Sequence, residues 1–156
     1  KYTASVHYKN TSGVQATYSD CHVPQAWAAR VQRKTAAGNE FWHHFTRDLS
    51  TAKKFDAQRL LLANVVWQQM QKNDSAECRN CHQFSAMLGV EQKPATQWAH
   101  QYALDKNATC IECHKGISHL LPAQFLQQEH QRMEAQQTPC ASCHAGKYDM
   151  QQQNWE

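Results

Sequence analysis

No apolar run in this sequence reaches the roughly 18 residues that a bilayer-crossing helix needs, so no segment of it is expected to span a membrane. The opening stretch, KYTASVHYKNTSG, also lacks the apolar core of a secretory leader, and the chain reads as a mature or trimmed product. Glycine (5) and proline (4) are scarce in 156 residues. That scarcity argues against a turn-rich β-fold and for helices joined by coil, and no strand pattern is convincing. Charge of one sign is not concentrated either. The formal net charge is +3, the basic residues are scattered, and no basic stripe or recognition motif supports nucleic-acid binding. Nucleotide-cradling glycine loops and the Gly-x-Ser-x-Gly nucleophile elbow are missing as well. Apolar residues make up 41% and the mean hydropathy is −0.78, which leaves little for a self-sufficient core.

Helical signals are nevertheless present. Pro24 is placed to open a helix over residues 24–37, with Gly38 as its stop. The clearest long helix is expected over residues 50–73, where Phe55, Leu62, Val65, Val66 and Met70 recur at helical spacing behind Ser50 or Thr51 as cap. Two weaker helices are expected over 95–106 and 122–137, the second ended by Pro139.

What the chain does have is 7 cysteines and 10 histidines. An odd cysteine count leaves one thiol over from any pure disulfide framework. Six of the seven fall into three copies of Cys-x-x-Cys-His: Cys78–Cys81–His82, Cys110–Cys113–His114 and Cys140–Cys143–His144. Two cysteines three apart bring their sulfurs to the two vinyl groups of one porphyrin, and the adjoining histidine turns a ring nitrogen to the iron. The pattern therefore reads as covalent attachment of haem c. Zinc ribbons and redox dithiols also use Cys-x-x-Cys, but neither requires histidine after every pair. The flanks of the copies differ, so the site repeats and the fold does not. Three haems would also bring about −6 of propionate charge against the +3 of the chain, so the bare isoelectric point says little about partners.

Seven histidines remain after the three motif ones. His119, His100, His130 and His7 are candidate sixth ligands, as is one of the adjacent His43 and His44. Irons capped by two imidazoles have no open position and suit electron transfer. Met150 is the one methionine placed to offer a different ligand. The seventh cysteine lies in Cys21–His22, with Tyr18 where a first cysteine would stand.

Three stretches, SGVQATYSDCHVPQAW, NDSAECRNCHQF and CIECHKGISHLLP, closely resemble the NapC/NirT family of multihaem quinol-oxidising cytochromes, which includes the NrfH and CymA types. The resemblance covers about residues 5–122. It implies an N-terminal membrane helix and four haems facing the periplasm. The first takes electrons from quinol and the others pass them to soluble reductases. By position, Cys78–His82 resembles the third haem site and Cys110–His114 the fourth. His119 would then be the ligand of the third iron, and the Cys21–His22 segment resembles the second site. This chain departs from the pattern in several places. It has neither the membrane helix nor the first motif. Gln25 stands where a family histidine often follows the second site, which puts the fourth iron's distal ligand in doubt, with His7 or His22 as substitutes. Cys140–His144 lies beyond the usual family end.

The expectation from all this is a single, mainly α multihaem cytochrome c domain over 1–156, with extensive coil and a core built around haem. Residues 1–122 are the family-like part and 123–156 an extension with an added motif. Two readings of Cys21–His22 stand. In the favoured one there are three haems and His22 is released to serve as a distal ligand. In the other, a fourth haem hangs from Cys21 alone. The function expected is periplasmic electron relay between a quinol-linked membrane donor and a soluble reductase, the membrane being reached only through a segment absent here. The alternative is a haem enzyme with an open iron position acting on a small nitrogen or sulfur oxyanion, with no catalytic residue assigned.

Overall fold

The computed structural model describes residues 2–46, 51–89, 91–122, 124–137 and Cys140, without the side chains of 39–46. Among the described residues the fold is helix and coil, with no strand. A 3₁₀ turn at Tyr2–Ala4 leads to a one-turn helix α1, Tyr18–His22. Two long helices follow, α2 (Trp27–Thr46) and α3 (Ala52–Lys72). Then come α4 (Ala76–Arg79), a 3₁₀ segment at Phe84–Leu88, α5 (Pro94–Asp105), α6 (Cys110–Cys113) and α7 (Phe125–Ala135). Against one another, α3 packs on α6, α1 on α4, and α5 on the 3₁₀ segment before it. No helix among the described residues is long and apolar enough to cross a membrane.

The long helix α3 lies where its apolar periodicity placed it, and Thr51 is its cap, accepting from the Lys54 amide at 3.3 Å. Helix α2 differs from expectation at both ends. It starts three residues after Pro24, where Arg30 reaches back to the Pro24 and Gln25 carbonyls. It also runs through Gly38 to Thr46. One interior glycine costs only about 1 kcal/mol relative to alanine, and strong helix formers on either side outweigh it. Helix α7 ends before Pro139, which lies outside the described residues. Its stop is Gln137, in the left-handed region at φ 52°, with its amide on the Glu134 carbonyl.

Side-chain burial is sparse. Only Ile111 and Phe125 among the apolar side chains, and Ser75 and Glu77 among the polar ones, are buried among the described residues. Meanwhile Trp27 is 79% exposed, Val6 70% and Val65 60%. Apolar side chains normally gain about 1.5–3 kcal/mol each by burial, so this polypeptide alone gathers little of the usual driving force.

One self-contained contact holds α7 to α3. The Trp67 and Phe125 rings meet at 5.3 Å, and the Lys115 ammonium lies 5.1 Å from the Trp67 ring centre. Glu129 joins Lys115 at 2.9 Å and Arg132 at 2.6 Å. The Arg132 hydrogen bond, and then Lys115, hold the Glu129 carboxyl at about 2, against burial that pushes it up. A depressed carboxylate contributes stability that is present above its ordinary range and is lost as pH falls through its folded value. Glu129→Gln is therefore expected to cost about 1–3 kcal/mol at neutral pH. The gap between variant and parent in denaturant titrations should narrow below pH ~4.5 and close near 2. A cavity of about 400 Å³ lies beside this contact, lined by residues including Leu60, Asn64, Gln71 and Gln128, and no motif cysteine or histidine borders it.

Candidate haem centres

Cys78 sits in the single-turn helix α4 and Cys110 and Cys113 in α6, because the spacing and the caps leave room for one turn, and Cys81 follows α4 in a turn. In α6, the Thr109 amide donates to the Glu112 carboxylate at 3.2 Å, and the His114 amide closes on the Cys110 carbonyl at 2.9 Å. In the 78–82 segment, the His82 amide likewise closes on the Cys78 carbonyl at 2.9 Å. That closure turns each histidine out beside its cysteines.

The chain between α3 and α4 fixes one motif against another. Asp74 and Ser75 both adopt left-handed backbone, at φ 55° and 51°. The fold accepts this cost because it drives Ser75 completely inside, where its hydroxyl accepts the Ile111 amide at 3.1 Å. A buried amide left without a partner would cost about 1–3 kcal/mol. This single bond joins the turn before Cys78 to the heart of α6. Buried Glu77 takes two hydrogen bonds from the Asn73 amide group, and Arg79 grips Asp74 at 2.8 Å.

Cys21, Cys78, Cys81, Cys110 and Cys140 carry free thiols. Burial, and then the charges of Cys110, Glu77 and Cys21, push the Cys78 thiol up to about 11. Cys21 is raised in the same way, by burial first and then by Asp20, Cys81 and Glu77.

Histidines meet in pairs. The rings of His7 and His82 stand 6.1 Å apart, those of His100 and His114 6.2 Å, and those of His22 and His119 6.2 Å. Metal–imidazole bonds are about 2 Å and each ring centre lies about 1.1 Å beyond its nitrogen, so rings on opposite sides of one metal stand about 6 Å apart. All three separations match that spacing. His7 adds a second sign: its Nδ1 is buried and without a hydrogen-bond partner.

Each pair is held from outside. The His7 carbonyl accepts the Ala16 amide at 3.1 Å, and the Tyr2 hydroxyl donates to the Ala16 carbonyl, closing the N-terminal loop. His100 sits on α5, with Nδ1 on the Gln92 side-chain oxygen at 2.9 Å and Phe84 beside it at 5.9 Å. With Nδ1 so engaged, Nε2 is the nitrogen left for a metal, the usual division of labour in a histidine ligand. His119 follows a tight turn at Gly116, whose φ is 82°. Desolvation, and then the neighbouring His119 and Arg33, hold His22 below the ordinary imidazole value.

The pairing differs from what the resemblance implied. His119 stands opposite His22 and not opposite His82, which has His7 instead. His100 faces the motif histidine His114, the position that Gln25 had left in doubt. His130, on α7, places Nδ1 on the Leu126 carbonyl at 2.8 Å, and its ring belongs to none of the three pairs. Cys143, His144 and Met150, with the side chains of His43 and His44, lie outside the described residues. Among the described residues no three or more His, Cys, Asp or Glu converge as a cage for a bare ion. Sequence reasoning missed Gln92, Ser75 and Gly116. Only the glycine left a trace, as the flexible residue two places after His114.

Comparison with known proteins shows the family. The model of the NapC/NirT cytochrome c family, N-terminal region, matches residues 1–124. The chain is 45% identical over 122 residues to the denitrification system component NirT of Stutzerimonas stutzeri, covering 78% of this chain and 61% of that one. It is 44% identical over 122 residues to the cytochrome c-type protein NapC of Escherichia coli K12, with the same coverage of each. The cytochrome c-type protein TorC of Escherichia coli K12 is 42% identical over 123 residues, 78% of this chain and 32% of that one. The chain thus spans about three fifths of the first two relatives' length. No solved structure matches it.

Proposed function

The chain belongs to the NapC/NirT cytochrome c family, and from that premise we propose that it is an electron relay of anaerobic respiration working in the periplasm. Haem c would be held at Cys78–Cys81–His82, Cys110–Cys113–His114 and Cys140–Cys143–His144. His7 and His100 would be the opposite ligands of the first two. When bound, the iron supplies a one-electron couple.

The residues of the chain do the rest. His7 with His82, and His100 with His114, would each hold an iron between two imidazoles, leaving no position there for a substrate. Gln92 fixes the tautomer and direction of His100, and Ser75 ties the two attachment turns together. The donor would be a quinol-linked membrane protein and the acceptor a soluble reductase. The relatives' printed names support that setting, one of them being a denitrification component.

The observation that carries the reading is the near-identical ring separation of the two motif pairs, 6.1 and 6.2 Å. It favours a carrier over an enzyme with an open iron. The test is spectroscopic. The holoprotein is expected to be low-spin at low temperature, with a Soret band unchanged by cyanide, carbon monoxide or nitrite. A high-spin fraction at these two irons that binds those ligands would overturn the carrier reading.

A further inference from the structure

We propose that Cys21 and His22, without a second cysteine, hold a further haem through a single thioether, with His119 as the opposite ligand. The inference rests on the relay reading above and deepens it by one centre.

The first support is local geometry. Thr17-Tyr18-Ser19-Asp20-Cys21-His22 and Thr109-Cys110-Ile111-Glu112-Cys113-His114 share one frame. Both fold into a single turn opened by a threonine amide on the acid three places later, Asp20 at 2.7 Å and Glu112 at 3.2 Å. In that frame Tyr18 stands where Cys110 stands. Loss of the first cysteine has not unmade the turn that presents the second cysteine and the histidine.

The second support is the partner. His22 and His119 are separated by 6.2 Å, as the complete motif's His114 is from His100. Were His22 a released distal ligand, it would face a motif histidine. Among the described residues both motif histidines already face others, His7 and His100, and His22 faces His119.

The third is the tyrosine itself. Its ring stacks on His22 at 4.7 Å and 25° and is 68% exposed. An imidazole binds metal in its own plane, through a nitrogen on its edge. A ring lying on its face does not compete for that position and steadies the imidazole instead.

Attachment balances without any co-reactant. The Cys21 thiol adds across one vinyl group of the porphyrin. A carbon–sulfur bond forms, the thiol hydrogen ends on the other vinyl carbon, and the C=C becomes a single bond. The second vinyl group stays intact.

The test uses the full chain matured in its own host. Denaturing mass spectrometry is expected to show four haem increments, one of them on the peptide holding Cys21 and His22. Pyridine haemochrome spectra should place about a quarter of the absorbance at the longer wavelength of a haem that keeps one vinyl group. Cys21→Ala should remove one increment and leave three. Three increments in the parent, with no haem on that peptide, would overturn the proposal and leave the relay reading standing. A fourth haem present in native spectra and lost on denaturation would overturn the thioether. No haem at all would sink both readings.

Discussion

Expressed without covalent haem, the chain is expected to lose its cooperative melt and most of its helical far-ultraviolet signal. The reason lies in the short inventory of what the polypeptide buries. Two apolar side chains, Ile111 and Phe125, are buried among the described residues. Ordering a residue costs about 1–2 kcal/mol of backbone entropy, and a domain usually offsets this with a large apolar core. Helices of this length are marginal in water without packing, and α2 and α3 leave Trp27, Val31, Phe55, Leu61 and Val65 exposed. Replacing Cys21, Cys78, Cys81, Cys110, Cys113, Cys140 and Cys143 together by serine should therefore remove the whole folding stability, about 5–15 kcal/mol for an ordinary domain. Circular dichroism and a thermal melt would show it. A retained helical spectrum with a cooperative transition would show that the protein core suffices.

Gly116→Ala is expected to have the second-largest effect, and a more local one. Gly116 has φ 82°, and a Cβ there would lie 2.6 Å from Leu121 Cγ and 2.8 Å from its Cδ1. The left-handed backbone costs a non-glycine residue about 1–2 kcal/mol, and the overlap adds a similar or larger amount because Leu121 must move. The turn lies between His114 and His119, so opening it shifts His119 away from His22. The expected result is a melting midpoint lowered by several degrees and a high-spin signal from the iron proposed for Cys21 and His22, with the irons proposed for His82 and His114 still low-spin. Wild-type spin state and stability in this variant would show that the turn does not set the position of His119.

The contrast between what could be read in the chain and what could not follows from the range of the interactions. The three complete motifs are local, so five consecutive residues declare them. The same holds for α3, whose apolar period and Thr51 cap are written within one helix. His7, His22, His100 and His119 stood out as candidates from residue type alone. Their partners did not, because pairing His7 with His82 or His22 with His119 depends on how distant segments meet. The family resemblance set His119 against His82, whereas the ring contact described for His119 is with His22. Gly38 misled because glycine is a stop only when the backbone turns left-handed there, and in α2 it does not. Ser75 carried no signal at all, since nothing in a lone serine announces a left-handed, fully enclosed hydroxyl.

That serine bears on rate as well as on stability. Electron tunnelling falls off exponentially with the gap between redox centres, so a fraction of an ångström of play between them costs speed. If electrons pass between the irons proposed for the turns at Cys78 and Cys110, the bond from the Ile111 amide to the Ser75 hydroxyl acts as a spacer. It sets the hop length through the backbone, before either cofactor is loaded.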